Sequence, residues 1–156
     1  MSWSLAIKNG DLSLSGTSLA QVTGTAKLVQ DLRCALLEPR NFDDHHPNYG
    51  SLLDGGRDDS GHEAMALIGE NRWDLAAMQV DSEIRKVATE HQKRQVVRLK
   101  NDKLTYGVST LTGDELLLEV VDIKMVQAQD KLLVTVYLLT AQGTNLELDI
   151  PLLNPS

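Results

Sequence analysis

Aromatic residues are scarce in this chain: two Trp, three Tyr and one Phe among 156 residues. Carbohydrate platforms and base-stacking surfaces lean on exposed rings, so the scarcity argues against both. Basic charge is short as well, with 15 Lys and Arg against 22 Asp and Glu and a formal net charge of -7. Phosphate is held mainly by Lys and Arg, which argues against general nucleic-acid binding. The single cysteine, Cys34, excludes an internal disulfide. Set among Leu32, Ala35 and Leu36, it reads as a buried thiol, and no local base is present to make it a nucleophile. No apolar run is long enough to cross a bilayer. Residues Met1 to Leu5 lack the basic segment and long apolar run of a secretory signal, so folding in the cytoplasm is expected.

Recognisable motifs of catalysis are missing too. There is no Gly-x-Ser-x-Gly, Walker loop, dinucleotide fingerprint or His-Glu-x-x-His. The densest polar cluster is Asp43-Asp44-His45-His46, with Asp58, Asp59, His62 and Glu63 downstream. Four consecutive side chains point in different directions on any backbone, so this reads as a solvated acidic loop rather than a metal site. Gly55-Gly56 has no following Lys-Ser or Lys-Thr pair and reads as a flexible turn. Glycoside hydrolysis needs an acid and a second carboxylate across a cleft. Glu38 and Asp44 are the acids a muramidase-like alternative would use. No catalytic, cofactor or metal residues are assigned.

What is present is periodicity. Trp3, Leu5 and Ile7 alternate with polar or small residues, Asn9-Gly10 follows, and Leu12 and Leu14 alternate again. This predicts a β-hairpin, ended by Gly16-Thr17-Ser18. A helix is predicted from Thr25 to Leu37, with Val22, Ala26, Val29, Leu32 and Leu36 on one face and Lys27, Gln30, Asp31 and Arg33 on the other; Pro39 stops it. Residues Asn41 to Gly61 read as loop, with Pro47-Asn48-Tyr49-Gly50 a turn anchored by the Tyr49 ring. In that turn Pro47 fixes φ and Gly50 accepts a positive one. A second helical stretch is predicted over His62 to Ile68. A longer one, Asn71 to Lys100, carries Ala77, Val80, Ile84, Val87 and His91 in a stripe.

The last third changes to period two, with strands at Leu116 to Met125, Lys131 to Thr140 and Thr144 to Ile150. In the first, the alternation of Leu116, Leu118 and Val120 changes register at Val121, Ile123 and Met125, which predicts a bulge near Val120. The middle strand is apolar on both faces and reads as central and covered on both sides. The last has Leu146, Leu148 and Ile150 facing in and Asn145, Glu147 and Asp149 facing out, with Pro151 ending it, as in an edge strand. No internal repeat is evident. The fold expected is α+β, one domain over residues 1–156: an N-terminal hairpin, two or three helices and a C-terminal antiparallel meander.

Charge is unevenly laid out. Acids dominate Asp43 to Glu70 and bases dominate Arg85 to Lys103. Such asymmetry fits two solvated faces or electrostatic complementarity between neighbours in an assembly.

The order of segments in the N-terminal half carries a resemblance. Leu5-Ala6-Ile7-Lys8-Asn9-Gly10-Asp11-Leu12 is followed by Gly24-Thr25-Ala26-Lys27-Leu28-Val29-Gln30-Asp31-Leu32, then Leu36-Leu37, then Pro47-Asn48-Tyr49-Gly50-Ser51-Leu52-Leu53. Over roughly residues 3 to 100 this resembles the baseplate wedge and sheath-initiator family of contractile phage tails, once described as lysozyme-like. The resemblance implies a non-enzymatic structural subunit in a sixfold virion baseplate, assembled in the host cytoplasm. Its implied partners are the tail sheath protein and other wedge and tube or hub proteins, with neither nucleic acid nor membrane among them. It also implies that the terminal sheet accepts sheath strands by β-augmentation; the outward row Asn145, Glu147 and Asp149 marks one edge for this, and the sequence leaves open which flank of the sheet receives the strand. That family often carries Glu-Pro-Arg between its long helix and final sheet. Here Glu38-Pro39-Arg40 follows the first helix instead, so no clamp role is assigned to it.

Overall fold

The computed structural model describes residues 2–9, 11–41, 43–46, 49–57, 73–128 and 131–153. The helix expected over His62 to Ile68, and Pro47 of the anchored turn, lie outside them. The fold is α+β, and its C-terminal part is a three-stranded antiparallel meander.

The N-terminal segment is not one hairpin but three short ladders around a common centre. β1 (Ser4–Leu5) pairs with β6 (Gln21–Val22), β2 (Ile7–Lys8) with β3 (Asp11–Leu12), and β4 (Leu14–Ser15) with β5 (Ser18–Leu19). The predicted turn after Lys8 forms, with Asn9 at φ 54. Beyond two residue pairs, however, the strands part to other partners. At the centre three backbone bonds close a ring: Ala6 N–H donates to the Ala20 carbonyl, Ala20 N–H to Ser13, and Ser13 N–H to Ala6, each at 2.8 Å. These residues are seven apart. Ser4-Leu5-Ala6, Asp11-Leu12-Ser13 and Ser18-Leu19-Ala20 are therefore three turns of one weak repeat, which corrects the reading of a repeat-free chain.

Helix α1 spans Gly24–Leu37 and ends where Glu38 turns extended. Its core face is Leu28, Leu32, Ala35 and Leu36, rotated from the predicted one. Ala26 is exposed. Lys27, expected on the polar face, is buried beside α1's own Asp31, which pairs with its ammonium one turn on. A buried ammonium needs such a partner. Cys34, expected buried, is half-buried on the helix flank.

The segment after α1 contains more than loop. β7 (Pro39–Arg40) runs parallel to β8 (Ser51–Gly56), so Gly55-Gly56 is strand rather than flexible turn. Backbone approach is close at both ends of this crossing. A Cβ on Gly50, at φ 94, would stand 2.5 Å from the Glu38 carbonyl oxygen, and one on Gly56, at φ 104, would stand 2.5 Å from Arg40 N. Only glycine fits either place.

Helix α2 runs from Trp73 to Tyr106, farther than predicted. Of the predicted stripe, Val80, Ile84, Val87 and His91 are buried and Ala77 is half-buried, and Gln95 and Asp102 continue the row. Glu83, also on the inner side, accepts the Leu52 N–H at 2.9 Å and ties β8 to the helix.

The meander comprises β9 (Leu117–Ala128), β10 (Lys131–Thr140) and β11 (Asn145–Leu153), ordered β11-β10-β9. The predicted bulge is present: Tyr137 faces Asp122 while Leu138 faces Val120, leaving Val121 extra. A second irregularity, between Leu139 and Thr140, leaves Leu118 extra. Strand β10 is central, but the described residues cover only one of its faces. Leu132, Val134, Val136 and Leu138 are buried under α1 and α2, whereas Leu133 on the other face is exposed and Tyr137 and Leu139 are half-exposed. Strand β11 does not end at Pro151 but pairs with β10 as far as Leu153.

Candidate functional site

The sheet has two flanks, and they differ. Thr140 N–H donates to the Thr144 carbonyl at 3.0 Å, Gly143 N–H to the Thr140 carbonyl at 2.9 Å, and Thr144 N–H to Thr140 Oγ1 at 3.1 Å. This sets the parity of the ladder. Antiparallel residues alternate between facing the partner strand and facing away. Leu146, Leu148 and Ile150 therefore bond to β10, while the N–H and C=O of Asn145, Glu147 and Asp149 point to the open flank. Pro151 falls on the same outward parity. Its missing N–H removes nothing from the ladder with β10, which is why the strand passes through it.

Strand β11 pairs with β10 from Lys131↔Leu153 to Leu139↔Asn145 without a register shift. The opposite flank, β9, carries both irregularities. The parity there turns the Ile123 N–H outward, and the Asp122 carboxylate one residue back accepts it at 2.8 Å. Bulges and local capping spoil an edge as a template for pairing. Among the described residues, β11 offers the regular unpaired edge.

Side chains of the outward row lie on the uncovered face. Asp149 accepts the Thr135 hydroxyl at 2.8 Å, and Glu147 sits opposite Tyr137. Lys124 of β9 places its ammonium 5.0 Å from the centre of the Tyr137 ring. The row is thus acidic, solvated and anchored at one end. Inward, Leu148 and Ile150 are fully buried, so the edge is held rigidly by the core.

The start of β9 is fastened from two sides. Gln95 of α2 donates to the Glu115 carbonyl at 2.6 Å and accepts the Leu117 N–H at 3.0 Å. The buried Glu115 carboxylate accepts Ser2 Oγ at 2.5 Å and the Thr112 N–H at 2.8 Å. Burial pulls its pKa upward, but these hydrogen bonds outweigh it and leave the group below the ordinary glutamate range.

Chemically reactive residue types gather elsewhere, in a cleft of about 410 Å³ between the N-terminal ladders, α1 and α2, lined in part by Asp31, Cys34, Tyr49, His91 and Arg94. Burial, then the carboxylates of Asp31 and Glu38, push the Cys34 thiol up. Burial pushes Tyr49 up to about 12. Burial, with Arg94 beside it, holds His91 down to about 4. At neutral pH all three are uncharged, so thiolate, phenolate and imidazolium are each disfavoured. The Tyr49 ring packs on the core with the Arg94 guanidinium 5.2 Å above it.

The acidic loop is turned on itself. Asp43 accepts the His45 N–H at 2.9 Å and lies 2.8 Å from His46 Nδ1. The His46 contact, then the His45 N–H, lowers its pKa. Among the described residues no three His, Cys, Asp or Glu side chains are grouped as metal ligands; Asp58, Asp59, His62 and Glu63 lie outside them. Glu38 and Asp44 are both exposed. Among the described residues no helix is long and apolar enough to cross a membrane.

The alternation of the last strand marks Asn145, Glu147 and Asp149 as an outward row but leaves open which flank of the sheet is available. The signal that decides it, two extra residues in β9 and the Asp122 cap, is only half visible in the alternation of Leu116 to Met125. No protein-family model, curated protein or solved structure matches the chain.

Proposed function

We propose that this chain is a structural, non-enzymatic subunit of a contractile tail baseplate, linking wedge to tube and initiating sheath assembly by strand pairing along β11. The carrying observation is the asymmetry of the sheet: β11 is regular, with outward backbone groups at Asn145, Glu147 and Asp149, while β9 is bulged and capped. A rigid, unpaired antiparallel edge is what β-augmentation uses: backbone bonds supply affinity, and alternating side chains supply register. The order of segments from Leu5 to Leu53 supports the same reading. Its partners are the tail sheath protein and the wedge and tube or hub proteins of a sixfold assembly in the virion.

The alternative is a muramidase-like glycoside hydrolase. A general acid for glycoside cleavage is normally a partly desolvated carboxyl facing a second one. Glu38 and Asp44 are both open to water, and the cleft that gathers Cys34, Tyr49 and His91 holds them neutral. These observations favour the structural reading.

Imaging of assembled tail ends with a tag on this chain tests the proposal. Tag density where baseplate meets sheath is expected. Absence of the chain from particles, or peptidoglycan clearing by pure protein that one carboxylate substitution abolishes, contradicts it.

A further inference from the structure

Two surfaces on opposite sides of the layered core have no partner among the described residues, and they are complementary. The first is the outer face of the meander. Its spine is Leu133, Tyr137 and Leu139 on β10, flanked by Glu119 and Asp122 on β9 and by Glu147 and Asp149 on β11. Lys124 is the one cation among the described side chains of these rows, against four carboxylates. A groove of about 320 Å³ opens beside Tyr137, lined by Val121, Asp122, Leu146 and Glu147 among others. Both helices pack on the other side of the sheet, so this face is not covered by them.

The second surface is the outer side of α2. Lys93, Val97, Lys100 and Leu104 follow one another at spacings of four, three and four, which places them in one row. The row lies opposite the face that buries His91 and Gln95. Val97 is 58% and Leu104 78% exposed. Glu90, the neighbouring carboxylate, is held by Lys93 at 2.9 Å. This row is apolar and basic where the sheet face is apolar and acidic. Lengths agree as well: the eleven steps from Lys93 to Leu104 rise about 16 Å, and the six steps from Leu133 to Leu139 extend about 20 Å.

We propose that a second copy of this chain docks the Lys93–Leu104 row of its α2 on the outer sheet face of the first, with Leu104 entering the groove beside Tyr137. The row and the face lie on opposite sides of one molecule, so a chain cannot satisfy both by itself. Each copy presents both halves, which makes the contact heterologous and head-to-tail, able to continue past two copies. The acidic and basic rims set register and association rate, and the apolar centre supplies the burial. The proposal concerns the face of the sheet rather than its β11 edge and does not depend on the tail reading.

Sedimentation velocity on the isolated full chain tests it, with two variants. Glu119→Lys with Glu147→Lys reverses the face; Val97→Ser with Leu104→Ser removes the apolar centre of the helix row. All four positions are exposed, so the fold is retained, as circular dichroism will check. For the native chain, average mass is expected to rise with concentration past that of a dimer and to fall with added salt. Each variant alone is expected to be monomeric. Mixed, they are expected to form a one-to-one complex and nothing larger, because only one intact face and one intact row remain. A native chain that stays monomeric at every concentration overturns the proposal. Self-association surviving in either variant, or failure of the mixture to combine, does the same.

Discussion

The side-chain amide of Gln30 is clamped to the backbone of Leu5: its Nε2 donates to the Leu5 carbonyl at 2.8 Å, and its Oε1 accepts the N–H of Ile7, two residues on, at 2.9 Å. One α1 side chain thus holds the N-terminal ladders at their inner arm. Each ladder is only two pairs long, too short to be stable by itself.

Gln30→Ala should therefore loosen residues 4–22 before it affects the rest. Two hydrogen bonds with a net value of about 1 kcal/mol each are removed. Amide exchange at Ala6, Ser13 and Ala20 is expected to accelerate by one to two orders of magnitude, as about 2 kcal/mol implies, while Val134 and Val136 stay protected. Equal acceleration in both regions, or in neither, contradicts the clamp.

His91 makes stability depend on pH. It is 9% exposed, its Nε2 is buried with no hydrogen-bond partner among the described residues, and burial with Arg94 nearby holds its pKa down to about 4 from an ordinary 6.5. Between those values the unfolded chain binds a proton that the folded chain refuses, so stability rises with pH across this window and falls as pH drops from 6.5 to 4. Full passage corresponds to about 3 kcal/mol. Urea titrations at pH 7 and pH 4.5, compared with His91→Leu, measure it. The variant is expected to lose less stability on acidification than the native chain. An identical loss in both means His91 is not the group responsible.

Gly50→Ala should be severely destabilising, by about 3 kcal/mol or more, because it combines a left-handed φ with a backbone clash. The methyl would meet the carbonyl oxygens of Glu38 and Pro39 at 2.5 and 2.9 Å. Tyr49→Ala, one residue earlier, removes a half-buried ring and is expected to lose about 2 kcal/mol. A urea midpoint for Gly50→Ala closer to the native value than that of Tyr49→Ala contradicts this order.

Much of the fold is legible in the sequence where one period persists. Val80, Ile84, Val87 and His91 mark the buried side of α2 because the helix keeps one face to the core throughout. The phase change near Val120 marks a bulge because a one-residue slip would otherwise expose Ile123 and Met125. Legibility fails where tertiary partners override local pattern. Ala26 suggests a core position on α1, yet Ala26 is exposed and Lys27 is buried instead, made tolerable by Asp31. The ring of Ala6, Ser13 and Ala20 leaves only a faint seven-residue trace because its bonds join backbone, not side chains. The row Asn145, Glu147 and Asp149 is readable as outward. That β9 is the blocked flank depends on Asp122 reaching the Ile123 N–H, which no alternation encodes.

The central claim is that an incoming strand pairs along β11. Glu147→Pro removes the middle of three outward backbone donors, at Asn145, Glu147 and Asp149, and spares the buried Leu148 and the inward ladder bonds. The measurement is sheath growth on baseplates carrying Glu147→Pro, with circular dichroism and melting of the isolated variant alongside. A folded variant whose baseplates fail to nucleate sheath is the predicted result. Normal sheath growth from the folded variant would contradict strand pairing at β11.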